Sequence, residues 1–330
     1  MGVSGRTCWR DARLDHAGLI HQGRQDRIGA VCLGRTTGRG HLMTNSDQNG
    51  GWRGRFSAFA LAFAVFGAVW FFIAAGGTKL GLWGWRTGFG TLAMGWGPKI
   101  VMAALAVSAL AIIVSLVMAP RKRPFMLALG ALLVSGLSMG RIYATGENAK
   151  RLPPLHDIQT DWANPIMPTP ALVSARASTG AYNEIEAAPV IADGAKGNWP
   201  GMEGKLVSEV QEQAEFDPDR QKKEVSAPYP HIETAILPAV PFDMAYQAAL
   251  ETVNDRGWTI VTAEPEEGRI EATDTSFWFE FKDDVLIRVQ PEGEGGSRVD
   301  VRSVSRVGLS DLGANAKRVK LFLEDFEARL

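Results

Sequence analysis

Three stretches without a charged side chain dominate the first half of this chain: residues 56–76, 100–119 and 124–140, of 21, 20 and 17 residues. An α-helix rises 1.5 Å per residue, so about 20 residues cross the roughly 30 Å hydrocarbon core of a bilayer. In lipid a spanning segment must satisfy its own backbone N–H and C=O groups, which makes each run a helix. The third run is the shortest and contains Gly130, Gly136 and Gly140, so its insertion is the least strongly specified. No Asp, Glu, Lys, Arg or His falls inside any run, which removes the polar path that a transporter needs.

The net charge of −1 conceals a division of the chain. Residues 1–150 hold 17 Lys+Arg against 5 Asp+Glu, whereas residues 151–330 hold 18 against 31. An acidic second half repels nucleic acid and anionic membrane surfaces, so nucleic acid is excluded as its partner. Basic residues favour the cytoplasmic side of short loops. Arg53 and Arg55 precede the first run, and Arg121, Lys122 and Arg123 fill the tight connection between the second and third. Lys79, Arg86 and Lys99 are scattered through the longer first connection. The compact cluster places the N-terminus inside and the C-terminal domain outside, although Arg141, Lys150 and Arg151 oppose this. The expected location is the bacterial inner membrane, multi-pass, with a periplasmic C-terminal domain.

Residues 1–42 contain seven Arg, no Lys, no Glu, and both cysteines, Cys8 and Cys32, with no apolar signal-peptide core. They read as a disordered tail or as an extension preceding a start at Met43. The cysteines lack CxxC spacing and a histidine partner, so they do not suggest a metal site. From Met43 onward there is no cysteine, and an exported domain would form no disulfide.

Four regions follow: 1–42, a membrane domain over 43–150, a proline-rich extended segment over 151–241, and a compact α+β domain over 242–330. The third holds 12 of the 17 prolines. It also carries Trp162, Tyr182, Trp199 and Tyr229, so parts of it are expected to pack on a folded neighbour; the charged run 219–224 reads as a solvated turn or helix end. In the last region Phe242, Ala245, Ala248, Ala249 and Val253 recur at helical spacing, and Gly257 suits a left-handed C-terminal cap. Four strands are expected, at 258–263, 269–281, 285–290 and 298–307. Phe277, Phe279 and Phe281 would share one strand face, and Asp283-Asp284 would form a tight turn. Ser310 would cap a final helix whose buried stripe is Val319, Phe322, Leu323, Phe326 and Leu330. The fold class is therefore α+β: three transmembrane helices, the extended segment, and a helix–four-strand antiparallel sheet–helix domain. The two helices would cover one sheet face and leave the other to solvent, the proline-rich segment or a partner.

Two polar motifs could carry chemistry. LHDIQTD places His156, Asp157 and Asp161 directly after the membrane domain. These types can ligate a metal or transfer protons, but the spacing matches no standard site. A turn in which the two aspartates accept backbone N–H groups is the reading taken; a metal-assisted hydrolase is the alternative. RSVSRVGLSDLGAN contains Arg302, Ser303, Ser305, Arg306, Ser310, Asp311 and Asn315. Arg302 and Arg306 at i, i+4 share a strand face, roughly 13 Å apart at about 3.3 Å per residue, and the strand leads into an anion-attracting helix N-terminus. The cluster could hold a carboxylate or phosphate ligand, or pair with the domain's own acids, Asp157 and Asp161. Internal pairing is the reading taken, because a buried arginine needs a carboxylate. No residue is assigned as catalytic or metal-binding, and no cofactor is expected.

The stretches HDIQTD, GRIEATDTSFWFEFKDDVLIRV and SRVDVRSVSRVGLSDLGANAKRV, in this order, resemble the bacterial and plastid family numbered 1499 among domains of unknown function, over about residues 153–330. Members preceded by several membrane spans resemble the chain from Met43. The resemblance implies a membrane-linked domain without an assigned activity, and makes His156 to Asp161 and Arg302 to Asn315 family motifs. The function expected is an inner-membrane protein carrying an exported, acidic binding or scaffold domain. Its partners would be the bilayer and either another envelope protein or a small anionic ligand.

Overall fold

The computed structural model describes residues 51–119, 122–215 and 229–330. The expectations for residues 1–42, Met43, the two cysteines, Arg121 and the 219–224 run lie outside these residues.

Three helices are long and apolar enough to cross a membrane. Helix α1 is Gly51–Lys79; a π-helix, Arg86–Trp96, runs directly into α2, Gly97–Val117; and α3 is Lys122–Arg151. Their packing follows residue size. Ala60, Ala64 and Gly67 of α1, Ala104, Ser108 and Ala111 of α2, and Ala128, Ala131 and Ser135 of α3 face one another, while Phe59, Phe66 and Phe72 point outward. Small residues let backbones approach where lipid supplies no hydrophobic drive between helices. Ser108, Ser115 and Ser135 return their hydroxyls to backbone carbonyls of their own helices. The short third run thus lies within a 30-residue helix packed on both others. Three passes put residue 51 and residue 151 at opposite ends of the bundle, with the α1–α2 connection at the domain's end.

After α3 the chain forms β1 (Asp157–Gln159), α4 (Pro170–Ser178), a 3-10 turn (Asp193–Gly197), α5 (Val207–Ala214) and β2 (Ala235–Leu237). Then follow α6 (Phe242–Asp255), β3 (Thr259–Glu264), β4 (Arg269–Thr275), β5 (Lys282–Glu292), β6 (Gly296–Ser305) and α7 (Ala314–Glu327). The six-stranded antiparallel sheet runs β1-β6-β5-β4-β3, and β2 also pairs with β6. The expected four-strand meander is present between its two helices. Strands β1 and β2 lie end to end along the outer edge of β6, with Asp157 opposite Val304 and Ala235 opposite Val299. The proline-rich segment is therefore not simply extended: it contributes two short helices and two strands that close an exposed sheet edge.

Helices α6 and α7 cover one face, over Ile270, Ala272, Val285, Ile287, Val289, Val299 and Val301. At its centre Phe322 stacks on Trp258 at 5.8 Å and on Phe326 at 6.1 Å. Gly257 has φ +69 and ends α6 as the sequence suggests. Gly268, at φ +63, permits the β3–β4 turn, because an added Cβ would lie 2.1 Å from the Val289 carbonyl oxygen.

Several local expectations are corrected. Strand β4 ends at Thr275, and residues 276–281 form a loop closed by Ser276 N–H donating to Phe281 O at 2.8 Å and Phe281 N–H donating to Ser276 Oγ at 2.9 Å. Its aromatics pack on the membrane helices rather than in the domain core: Phe279 and Phe281 meet Phe89 at 5.2 and 5.1 Å, and Phe281 meets Trp85 at 5.6 Å. Asp283 and Asp284 are not a turn but lie in β5, opposite Ser305 and Val304. Helix α7 starts at Ala314, later than a Ser310 cap implies. Gly313, at φ +82, precedes it, and Asp311 accepts the N–H groups of Gly313 and Asn315 at 2.8 and 2.7 Å. The glycine forces the late start and the carboxylate satisfies the freed donors. Val319, Phe322, Leu323 and Phe326 form the buried stripe of α7, whereas Leu330 lies beyond the end of the helix and is exposed.

Truncation of the two phenylalanines should therefore have unequal effects. Phe322→Ala should cost about 3–5 kcal/mol in denaturant unfolding of the full chain in detergent. Phe279→Ala should cost less than half of that, because Phe279 lies outside the core; equal losses would contradict the assignment.

Candidate functional site

The second sheet face carries charge. Alternation along β4, β5 and β6 brings Glu271, Thr273, Asp284, Leu286, Arg288, Asp300 and Arg302 to one side, since strand side chains alternate with period two. This face is not open to solvent. Residues 157–186 lie across it, with Ile166 and Leu172 packed on Leu286. Each buried charge there must find a partner, because an unpaired one costs several kcal/mol.

Arg302 and Asp157 are both 0% exposed and form a bidentate pair, Nε to Oδ1 at 3.0 Å and Nη2 to Oδ2 at 2.6 Å. The remaining guanidinium donors reach the carbonyls of Ile166 at 2.8 Å and Glu186 at 2.7 Å. The Trp162 ring covers the group at 5.3 Å. This is the Asp–Arg contact that the cost of burying Arg302 required.

Arg306 takes a different acid. Its Nη2 and Nε donate to Asp284 at 2.7 and 2.9 Å, and its Nη1 to Thr179 Oγ1 at 2.7 Å and Ala175 O at 3.0 Å. Arg176, from α4, donates to the other side of Asp284 and to Asn183 O. Burial lowers the Arg176 pKa, and Asp284 opposes that effect. Asp161 joins a third group: it accepts Ala163 N–H at 2.9 Å and pairs with Arg298 at 3.0 Å. Asp300 beside it accepts from Thr234, Thr160 and Arg288. Burial alone would raise the Asp300 pKa, but Thr234, Arg288 and Arg298 together hold it below the usual carboxylate value. Glu271 accepts from both the N–H and the hydroxyl of Thr169, the residue that caps α4.

The helix-covered side has its own polar knot. Asn315 Oδ1 accepts from Ser303 at 2.8 Å, while its Nδ2 donates to Ser305 Oγ and His156 O, both at 3.0 Å. Arg318 bridges Asp283 at 2.6 Å and Asp274 at 2.8 Å. Ser310 Oγ donates to Pro153 O at 3.4 Å and Asp311 N–H to Leu155 O at 2.8 Å, so the chain leaving the membrane is tied to the start of α7. Burial raises the Asp311 pKa to about 6 against its two N–H donors, and burial lowers that of His156, favouring the neutral imidazole.

The polar residues singled out in the sequence therefore divide among several internal contacts. Asp157 joins Arg302; Ser303 and Ser305 join Asn315; Arg306 lies apart on Asp284, and Asp161 on Arg298. The expected turn at LHDIQTD is a strand, in which Asp157 binds an arginine and only Asp161 accepts backbone N–H groups. His156, Asp157 and Asp161 do not converge. Arg302 occupies both oxygens of Asp157, and among the described residues no three His, Cys, Asp or Glu side chains group to hold a metal. The hydrolase alternative thus lacks its ligand set. Reading the sequence missed Asp284, Arg176 and Asp300. Strand alternation could have revealed Asp284 and Asp300, whereas nothing local marks Arg176 as buried.

These features define a membrane-anchored α+β domain whose charged sheet face is closed by its own chain. Residues 164–326 match the family described as Protein of unknown function (DUF1499), and this part of the chain belongs to that family. The match begins after HDIQTD, so this motif falls outside the matched residues. No curated protein matches the chain.

Arg302→Met should strand a buried carboxylate and cost about 3–5 kcal/mol in denaturant unfolding of the full chain. Adding Asp157→Leu should recover much of this loss, and Arg302→Lys should not, since an ammonium cannot replace the fork. Losses that simply add would show that the pair is not coupled.

Proposed function

We propose that this is an inner-membrane protein whose N-terminal side is cytoplasmic and whose acidic domain stands on the exported side as a binding or scaffold module for another envelope protein. The observation that carries this reading is that the domain is fixed to its own helix bundle at two separate points. One is the 153–157 segment, bound to β6 and α7 directly after α3. The other is the 276–281 loop, seated on Trp85 and Phe89 in the α1–α2 connection. A domain held this way presents a fixed surface at a fixed height over the membrane, which suits assembly more than a freely tethered catalyst.

The charge pattern supports the orientation. Arg53 and Arg55 in the first turns of α1, and Lys122 and Arg123 in the first turn of α3, lie at the end of the bundle away from the domain, and positive clusters of this kind favour the cytoplasm. A protein partner is favoured over a small anion, because Arg302 and Arg306, the residues that would hold the anion, are buried and spend their donors internally.

A reporter enzyme active only outside the cytoplasm, fused after Leu330, should be active. A fusion at the same position that works only with a cytoplasmic reporter would reverse the orientation.

A further inference from the structure

Phe277 and Trp278 are 67% and 51% exposed, whereas the loop's other aromatics, Phe279 and Phe281, are half-buried against Trp85 and Phe89. Trp278 lies edge-on to Phe72 of α1 at 6.0 Å, and Phe277 stands against Trp278 at 5.1 Å. Phe72 is itself 64% exposed and belongs to the uncharged 56–76 run, seven residues before Lys79 closes the helix. At 1.5 Å per residue, that places Phe72 about 10 Å below the charged helix end, on the outward side of the bundle. Trp278 therefore extends the same outward apolar surface that α1 presents along its span.

The charged neighbours fit an interface. Lys79 Nζ lies 5.3 Å from the Phe277 ring centroid and 3.4 Å from Glu280 Oε1, so the loop's one acid is paired at its upper edge. Leu80 and Leu82 are also exposed, directly after Lys79 where α1 ends, and Arg86 opens the π-helix that follows. Aromatic rings mixed with cations are the composition of a headgroup-level belt.

We propose that Phe277 and Trp278 insert into the lipid on the domain's side of the membrane, at the headgroup–acyl boundary, giving the domain a direct grip on the bilayer beside its contacts with α1 and the π-helix. The occupant of this patch is lipid because the patch is continuous with the outward face of a spanning helix. The inference rests on α1–α3 crossing the membrane, but not on which side holds the domain. It explains why an acidic domain keeps two large apolar side chains exposed: the loop's paired acid and the adjacent lysine remove the repulsion that the rest of the domain would feel at an anionic surface.

The test is depth measurement on the full chain, with Cys8→Ser and Cys32→Ser, reconstituted in phosphatidylethanolamine–phosphatidylglycerol vesicles. A nitroxide is attached at Trp278→Cys or, separately, at Phe277→Cys. Phe72→Cys serves as the lipid reference, and Ile236→Cys, on β2 near the other end of the sheet, as the water reference. Collisions with oxygen should exceed those with an aqueous nickel chelate at 277 and 278, as at 72, and the opposite should hold at 236. Nickel-dominated collisions at both loop positions, with 72 still in lipid, would overturn the proposal alone. Low collision rates with both reagents would mean a protein contact, such as a second copy, and would also overturn it. Nickel access at 72 would overturn the spanning assignment together with the proposal.

Discussion

The domain is organised around the burial of charge on one face of its sheet. Strands β5 and β6 alternate so that valines and isoleucines meet the two helices while Asp284, Arg288, Asp300 and Arg302 face the other way. Left open, that face would be an ordinary solvated surface. Covered by residues 157–186, it becomes a layer in which each acid requires a base and each arginine must place its donors on carboxylates or carbonyls. The covering segment is therefore chosen by its polar atoms as much as by its apolar ones. Asp157, Arg176, Thr169 and the carbonyls of Ile166 and Glu186 supply what the sheet lacks, and Ile166 and Leu172 add a small apolar patch over Leu286. Replacing such a layer by hydrophobic residues can be neutral in stability, but breaking one member of it is costly. The arrangement thus specifies one placement of a proline-rich chain that has little periodicity of its own.

That placement links the domain to the membrane. The segment begins where α3 ends, and it is bound at once to the domain, with His156 O accepting from Ser305 N–H on β6 and Leu155 O from Asp311 N–H just before α7. At the same end of the sheet the β4–β5 loop meets the bundle through Phe279, Phe281, Phe89 and Trp85. The bundle has the reverse pattern of the domain, with small residues inside and large ones outside, as expected where the solvent is lipid. The aromatic loop is the place where the two packing rules meet.

Much of this was legible in the sequence. The spans were visible because an uncharged run of about 20 residues matches the thickness of a bilayer and exceeds the usual length of a buried soluble helix. Helix α6, its Gly257 cap and the four meander strands followed from period and turn chemistry, and a pairing of Asp157 or Asp161 with Arg302 or Arg306 followed from the cost of burying an arginine alone; of the possible pairs the fold makes Asp157–Arg302. Other features depended on partners far away in the chain. Strands β1 and β2 have three residues each, too few to show alternation, and exist because the edge of β6 is there to receive them. Asp283-Asp284 has turn chemistry, but Arg306, Arg176 and Arg318 stabilise it in a strand. The alternating aromatics of 277–281 imitate a strand face, yet their partners are rings far upstream in the α1–α2 connection.

Native-state hydrogen exchange on the full chain tests the central claim most directly. Thr160 N–H donates to Val301 O at 3.0 Å and Ser305 N–H to His156 O at 2.8 Å, so both report whether the covering segment is part of the folded unit. If the ion-pair layer holds the segment, these amides should exchange with the same opening free energy as the central β5–β6 amides, through global unfolding. Exchange of Thr160 and Ser305 at an opening free energy several kcal/mol lower, with the β5–β6 amides still protected, would show that the segment opens on its own and would contradict the account.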